Sequence, residues 1–437
     1  MAIIQNIWWL LVLLGVMILI HELGHFWAAR FFDVRVDAFS FGFGPRLFGF
    51  KRGETDFRFS LILFGGYVKM AGEQPGEENS NDPRGFMNKP RWQRLIIAFA
   101  GPFMNMLLAV GLMTGLFMVR FPKLPVVHSP VVGYVEPNSP AAKAGVKEGD
   151  RVVQVDDQTN PTWEDIAFKE IAGANRPMPV ALLRDGKREL LTIVPTLDEK
   201  NGIGRAGWAE EETVQVASVE PTMAAAQVGL KTDDILVSVN GEAIRSKPKL
   251  HEVITATSGA PINLVYKRAE QLHNVTLTPT RSVVDGQESL RIGVSLVSQM
   301  IITQLPFPDA LRESVTTNIK YAGTIYKLLQ SIVERRMPAK SLEGPVRIAQ
   351  LSGEAAREGA TAFIGLMAMV SLNLAVFNLL PIPILDGGVI LMLLIEMILR
   401  RDLSLQVKEA VIKVGFVFLM AVVVFVLYND ITKIIAG

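Results

Sequence analysis

His21-Glu-Leu-Gly-His25 is an H-E-x-x-H pattern. On a helix, positions i and i+4 share one face, so both imidazoles can reach one divalent metal with Glu22 beside them. That combination suits metal-assisted hydrolysis. A bound Zn²⁺ lowers the pKa of its water to about 7 and polarises a carbonyl, and a neighbouring carboxylate serves as general base. A catalytic zinc needs a third protein ligand and an open fourth position. His128, His251 and His273 fall in a middle segment of different character, so they read as surface or packed histidines. Asp386 is the better candidate. It stands in Asn378-Leu-Leu-Pro-Ile-Pro-Ile-Leu-Asp-Gly-Gly388, where two prolines break a helix and two glycines admit close backbone approach. Cysteine is absent, which excludes disulfides, thiolate metal sites and a cysteine nucleophile.

The elements that must position these residues are legible from where charge is missing. Residues 1–20, 95–119 and 359–385 carry no charge, and 414–429 add a shorter run extended by 410–412. A span needs about 20 apolar residues, so four membrane helices are expected. The first run lacks a basic leader and an A-x-A cleavage site and reads as an uncleaved helix. His21, Glu22 and His25 then sit at the end of a membrane helix, where each charge costs at least ~2.5 kcal/mol and calls for a partner such as a metal. Residues 30–94 hold 11 Lys and Arg against 8 acids, and 400–413 hold four more bases. The positive-inside rule puts both segments in the cytoplasm and both termini outside. His21, His25 and Asp386 then share one depth near the cytoplasmic side. The net charge of +1 gives no basic field for nucleic acid.

The middle of the chain, 121–310, has β-branched runs, Asn-Gly and Asp-Gly turns and mixed charge, and it repeats. Residues 135–158 match 219–242 at an offset of 84 with 10 identities in 24 positions, and the same offset pairs Arg184 with Arg268. The pattern S-P-A-A-x-A-G-x-x-x-G-D followed by V-N-G resembles the PDZ domain. Such a domain binds an extended peptide by adding it as a strand to a sheet edge.

Taken together, these features resemble the site-2 protease family in the bacterial regulator-of-sigma-E arrangement. The resemblance runs through His21-Glu22-x-x-His25, Leu385-Asp386-Gly387 and the PDZ units between them. It also covers Phe41-Gly-Phe-Gly44, Gly65-Gly-Tyr-Val-Lys-Met70, Ala100-Gly-Pro-Phe-Met-Asn105, Gly344-Pro-Val-Arg-Ile-Ala349 and Ser371-Leu-Asn-Leu-Ala-Val-Phe-Asn378. Many members have His after D-G-G, where this chain has Val389. The resemblance implies an intramembrane zinc metalloprotease with His21, His25 and Asp386 as zinc ligands and Glu22 as base. It implies substrate contacts from Asn373 and Asn378 and from the β region through Gly42, Gly44, Gly66 and Tyr67. The implied partners are the bilayer, a trimmed anti-sigma factor and remnant signal peptides, with no nucleic acid. The implied location is the bacterial inner membrane, with the PDZ pair and both termini extracytoplasmic and the pair excluding bulky substrate domains.

The expected fold is a polytopic α-helical membrane protein with four transmembrane helices, membrane-associated β-hairpins and two inserted α/β PDZ domains. The expected segments are a first span 1–30, a reentrant β region 31–93 and a second span 94–120. PDZ domains follow at 121–207 and 208–300, then an amphipathic connector 301–358 whose helical pattern runs over 308–337. A third span 359–399, a cytoplasmic loop 400–409 and a last span and tail 410–437 complete the chain. Two rival readings are a non-catalytic PDZ membrane scaffold or chaperone with a degenerate metal site and an ion-binding transporter with a broken third helix. The intact H-E-x-x-H and L-D-G speak against the first, and the lack of an inverted repeat against the second.

Overall fold

The structure is a computed structural model. It describes residues 2–73, 82–119, 121–123, 130–198, 203–284, 287–299, 301–334 and 344–435. His128 and the end of the expected amphipathic pattern lie outside the described residues. The chain divides into two compact units. One comprises Met1–Phe121, Thr303–Leu329 and Leu342–Gly437, and the other Pro122–Ile302 and Gln330–Ser341.

In the first unit, four helices are long and apolar enough to cross a membrane: Ile3–Phe31, Arg91–Met118, Ala360–Asn378 and Leu405–Thr432. Helices bond most of their backbone internally, as hydrocarbon demands, and Pro102, which has no N–H, interrupts that ladder in the second. Leu13 and Met17 of the first helix pack with Phe363, Met367 and Val370 of the third. Ser371, fully buried on the third, donates its hydroxyl to the Asn105 carbonyl of the second at 2.9 Å. The apolar stretch expected as one span, 359–399, is two helices, Ala360–Asn378 and Asp386–Leu399, parted by a turn holding Pro381 and Pro383.

The last helix runs Leu405–Ile435, so it starts before the expected 410 and the loop ahead of it is correspondingly short. Ser404 accepts the Val407 N–H at 3.4 Å, and Lys408 is neutralised at 2.7 Å by the buried Glu396. Charge was therefore a poor marker of where this helix begins, because its charge is paired.

The β region forms one hairpin rather than several, Val36–Arg52 with Thr55–Met70. It curls so that residues 36–41 pair with 66–70 on one side and 56–59 on the other, and 46–52 pair with 55–60. Residues 66–70 are therefore an outer strand. The amphipathic helix, Phe307–Val333, buries Ala310, Ser314 and Asn318 along one stripe. The Ser314 hydroxyl donates to the Val110 carbonyl at 2.8 Å, seating this helix on the second membrane helix.

The second unit holds the two repeats, each with its own apolar core. The first repeat ends later than the expected 207. Trp208–Glu210 pairs antiparallel with Val132–Val135, as Val294–Ser298 pairs with Val214–Val219 in the second. The closing strand of each repeat returns to its opening strand, so a boundary drawn from sequence similarity at the repeats' starts falls short. Matching ion pairs brace the two. Arg184 Nη2 meets Asp150 Oδ2 at 2.6 Å and Arg268 Nε meets Asp234 Oδ1 at 2.6 Å, with the carboxylates 2% and 1% exposed. These partners hold both guanidinium groups above their ordinary pKa.

Removing one partner of such a pair strands a buried charge, which costs about 3–5 kcal/mol. Arg184→Met should therefore unfold the first repeat selectively, and Arg268→Met the second, as read by pulse proteolysis with fragment mapping. Equal resistance to wild type would show that neither pair supports its repeat.

Candidate metal centre

His21 and His25 lie one turn apart on the first membrane helix and face the second. Gly101 of the second helix makes room for them, because a Cβ there would collide with His25 Nε2 and His21 Cε1. Gly24 does the same in the other direction against the Ala100 carbonyl. His25 Nδ1 lies 2.8 Å from the Ile97 carbonyl, so it carries the proton and leaves Nε2 free as an acceptor.

Asp386 reaches the pair from the broken third span. It opens the helix Asp386–Leu399, where the N-terminal backbone favours a carboxylate. The turn before it is strained: Ile384 is β-branched yet has φ +88. Gly387 and Gly388 fit against the carbonyls of Leu379, Leu380 and Ile382, where any Cβ would collide. The strained turn and the two glycines aim Asp386 back at the first helix, with its oxygens 3.1 Å from His21 Nε2 and 3.4 Å from His25 Nε2.

His21 Nε2 and His25 Nε2 are 3.2 Å apart, and donor atoms of all three residues lie within 4.8 Å of one another. Ligand atoms about 2.0–2.1 Å from a tetrahedral zinc stand roughly 3.3 Å from each other. The separation of the two imidazole nitrogens is close to that edge length, Asp386 turns one oxygen toward each of them, and two imidazoles with one carboxylate leave a fourth position for the reaction. The donor set fits a catalytic zinc.

The three residues line a cavity of about 540 Å³. Glu22, Gly66, Tyr67 and Asn378 also line it. Asn373, Gly42 and Gly44 do not. The two glycines sit on the hairpin with φ +95 and +86, where they shape its bend. His251 and His273 belong to the second repeat, on the helix Lys247–Ala256 and the strand Gln271–Leu277.

Sequence reasoning gave no role to two residues that the structure places here. Phe43 lines the cavity and stacks on Tyr67 with ring centroids 6.1 Å apart. Asn105 is 1% exposed, with Nδ2 3.4 Å from His21 Nδ1 and Oδ1 unpartnered among the described residues. When His21 offers Nε2 to a metal, Nδ1 carries the proton, and a half-turn of the Asn105 amide gives that proton the unpartnered Oδ1 as acceptor. The available signal was an amide within the 25-residue charge-free run 95–119.

Comparison with known proteins agrees with this chemistry. A sequence model described as Peptidase family M50 matches residues 9–422. The chain is 28% identical over 460 residues to Regulator of sigma-E protease RseP of Salmonella typhimurium, across 99% of this chain and 100% of that protein. It is 29% identical to Protease RseP of Yersinia pestis, across 99% and 100%. A Vibrio cholerae protein named as a candidate zinc metalloprotease is 29% identical, across 97% and 98%. Among solved structures, a PDZ domain of the SdrC-like protein from Listeria monocytogenes covers 20% of this chain and 88% of its own, at 25% identity and a TM-score of 0.18.

Gly101→Ala should displace the histidines and lower zinc bound per chain about tenfold, the scale seen when a ligand's supporting contacts are lost. Gly115→Ala, on the same helix with open space at its Cβ, should leave zinc content unchanged. Metal analysis of both purified variants checks this, and full zinc in Gly101→Ala would contradict it.

Proposed function

The chain belongs to peptidase family M50 and is a zinc metalloprotease, and we propose that it cleaves single-span membrane peptides within the bilayer, near the cytoplasmic face. One observation carries the proposal: the donor atoms of His21 and His25, within one apolar helix, and of Asp386, at the start of another, converge in a cavity that a β-strand edge also lines. In this reading His21, His25 and Asp386 hold zinc, and both repeats are PDZ domains outside the cytoplasm.

A zinc ion held there supplies a Lewis acid for the scissile carbonyl and acidity for the attacking water. Glu22 faces the same cavity, takes the water's proton and returns it to the leaving amine. Gly66 leaves space for the Glu22 side chain, since a Cβ would sit 3.1 Å from Glu22 Cγ. A peptide bond inside a helix is shielded, so the substrate must be extended at the point of attack. Residues 66–70 serve that need. Gly66, Tyr67, Val68 and Met70 line the cavity, and among the described residues only 36–41 pairs with this strand. Its other edge offers N–H and C=O groups to a substrate added as a further strand. Asn378 holds the substrate backbone beside Asp386, and Asn105 keeps His21 in the ligating tautomer. The substrates we assign are an anti-sigma factor already shortened outside the membrane and signal-peptide remnants in the inner membrane.

Glu22→Gln should lower cleavage of an apolar single-span substrate by about 10³-fold, within the range for a lost general base. Zinc content should stay at the wild-type level. Turnover by this variant at the wild-type rate in detergent would remove Glu22 from the mechanism.

A further inference from the structure

The two repeats share a scaffold and differ in the gap between each closing strand and the helix beside it. In the first repeat the helix is Trp163–Ala172 and the strand Trp208–Glu210. In the second they are Lys247–Ala256 and Val294–Ser298. The positions correspond through shared backbone bonds. Ala141 N–H donates to the Ala206 carbonyl as Ala225 N–H does to that of Ile292, and Glu136 N–H donates to Gly207 as Glu220 N–H does to Gly293. Ala206 thus matches Ile292, Trp208 matches Val294, and along the helices Glu170 matches Ile254 and Trp163 matches Lys247.

Glu170 reaches from the helix to the head of the strand. Its Oε1 accepts the Ala206 backbone N–H at 2.6 Å, and its Oε2 accepts the Trp208 indole N–H at 2.8 Å. Trp163 leans on Trp208 with ring centroids 5.6 Å apart. Burial pushes the Glu170 carboxyl pKa up, and the two N–H donors and Arg205 pull it back. One N–H per oxygen, a backbone amide and an indole at the start of a strand that an extended peptide would lie along, gives a chain-terminal carboxylate the donors it is captured by. The second repeat has no side-chain carboxylate at this position, because Ile254 is a buried core residue.

We propose that the first repeat carries a carboxylate-binding seat, built from the Ala206 backbone N–H and the Trp208 indole N–H, which its own Glu170 fills against peptides ending in a free carboxylate. The seat's chemistry is that of a peptide C-terminus, and an internal side chain holds that place. The proposal rests on the peptide-groove reading of the repeats, but the first part of the test probes the seat without it.

The test uses full-length protein in detergent with indole-¹⁵N tryptophan, the Trp208 signal being assigned by its loss in Trp208→Phe. In wild type, acetate should leave the Trp208 indole N–H resonance in place. In Glu170→Ala the resonance should move, and acetate, but not chloride at equal ionic strength, should return it. An apolar-ended peptide carrying a benzophenone should then label residues 163–211 of Glu170→Ala at least about tenfold more strongly than its C-terminal amide, the scale of one hydrogen bond to a charged group. Wild type should show no such difference there. If Glu170→Ala loses protease resistance in this repeat, Glu170→Gln replaces it, since its neutral amide should yield to acetate where the carboxylate does not. Carboxylate-dependent labelling of 163–211 in wild type would overturn the proposal, as would a folded variant whose Trp208 signal ignores acetate. Acetate rescue without peptide labelling would keep the seat and overturn its assignment to peptide C-termini.

Discussion

Where the first and second membrane helices cross, neither Gly24 nor Gly101 has room for a methyl group. In a bilayer, apolar side chains gain little by leaving lipid for each other, so helices associate where small residues let their backbones come close. Here that approach brings the imidazoles of His21 and His25 against the second helix, within reach of the Ile97 carbonyl and the Asn105 side chain. The third helix then packs on both, with Ser371 bonded to the Asn105 carbonyl. Asp386 arrives only because the third span is interrupted, and the interruption is held by prolines and a strained Ile384.

The same helix that begins with Asp386 is tied down farther along by charge. Glu396 is 1% exposed and meets Lys408 at 2.7 Å and the Leu403 N–H at 3.0 Å, with Arg94 3.8 Å away. Arg94 also reaches Asp402 at 3.2 Å. A buried charge persists only when paired and hydrogen-bonded. This cluster therefore joins the helix that Asp386 begins to the second and last membrane helices. Burial and charge pairing act here as positioning forces, in a region where the hydrophobic effect between helices is weak.

The two repeats show divergence on a constant frame. Their Arg–Asp pairs, cores and strand returns are matched, and these are the features that hold an α/β unit of this size together. Between the closing strand and the neighbouring helix they differ, with Glu170, Trp163 and Trp208 in one and Ile254, Lys247 and Val294 in the other. Trp208 and Ile254 belong to the two cores, so the difference reaches from the strand edge into the packing beneath it.

Much of the site was legible because its chemistry lies within single elements. His25 stands four positions after His21, and helical spacing alone puts them on one face. The charge-free runs marked the four membrane helices, the proline pair marked the break before Asp386, and the offset of 84 marked the repeat with its paired arginines. Tertiary structure alone decided which residues from distant elements meet. Asn105 comes to His21 across 84 residues and Ser371 to Asn105 across 266. Asn378 lines the cavity while Asn373, on the same helix, does not. Trp208–Glu210 closes the first repeat, and Glu170 accepts the Ala206 N–H and the Trp208 indole N–H across 36 and 38 residues. Periodicity and spacing report local backbone geometry, which the chain determines residue by residue. Contacts between elements depend on how closely backbones pack and which charges must be paired once water is excluded, and those conditions exist only in the folded molecule.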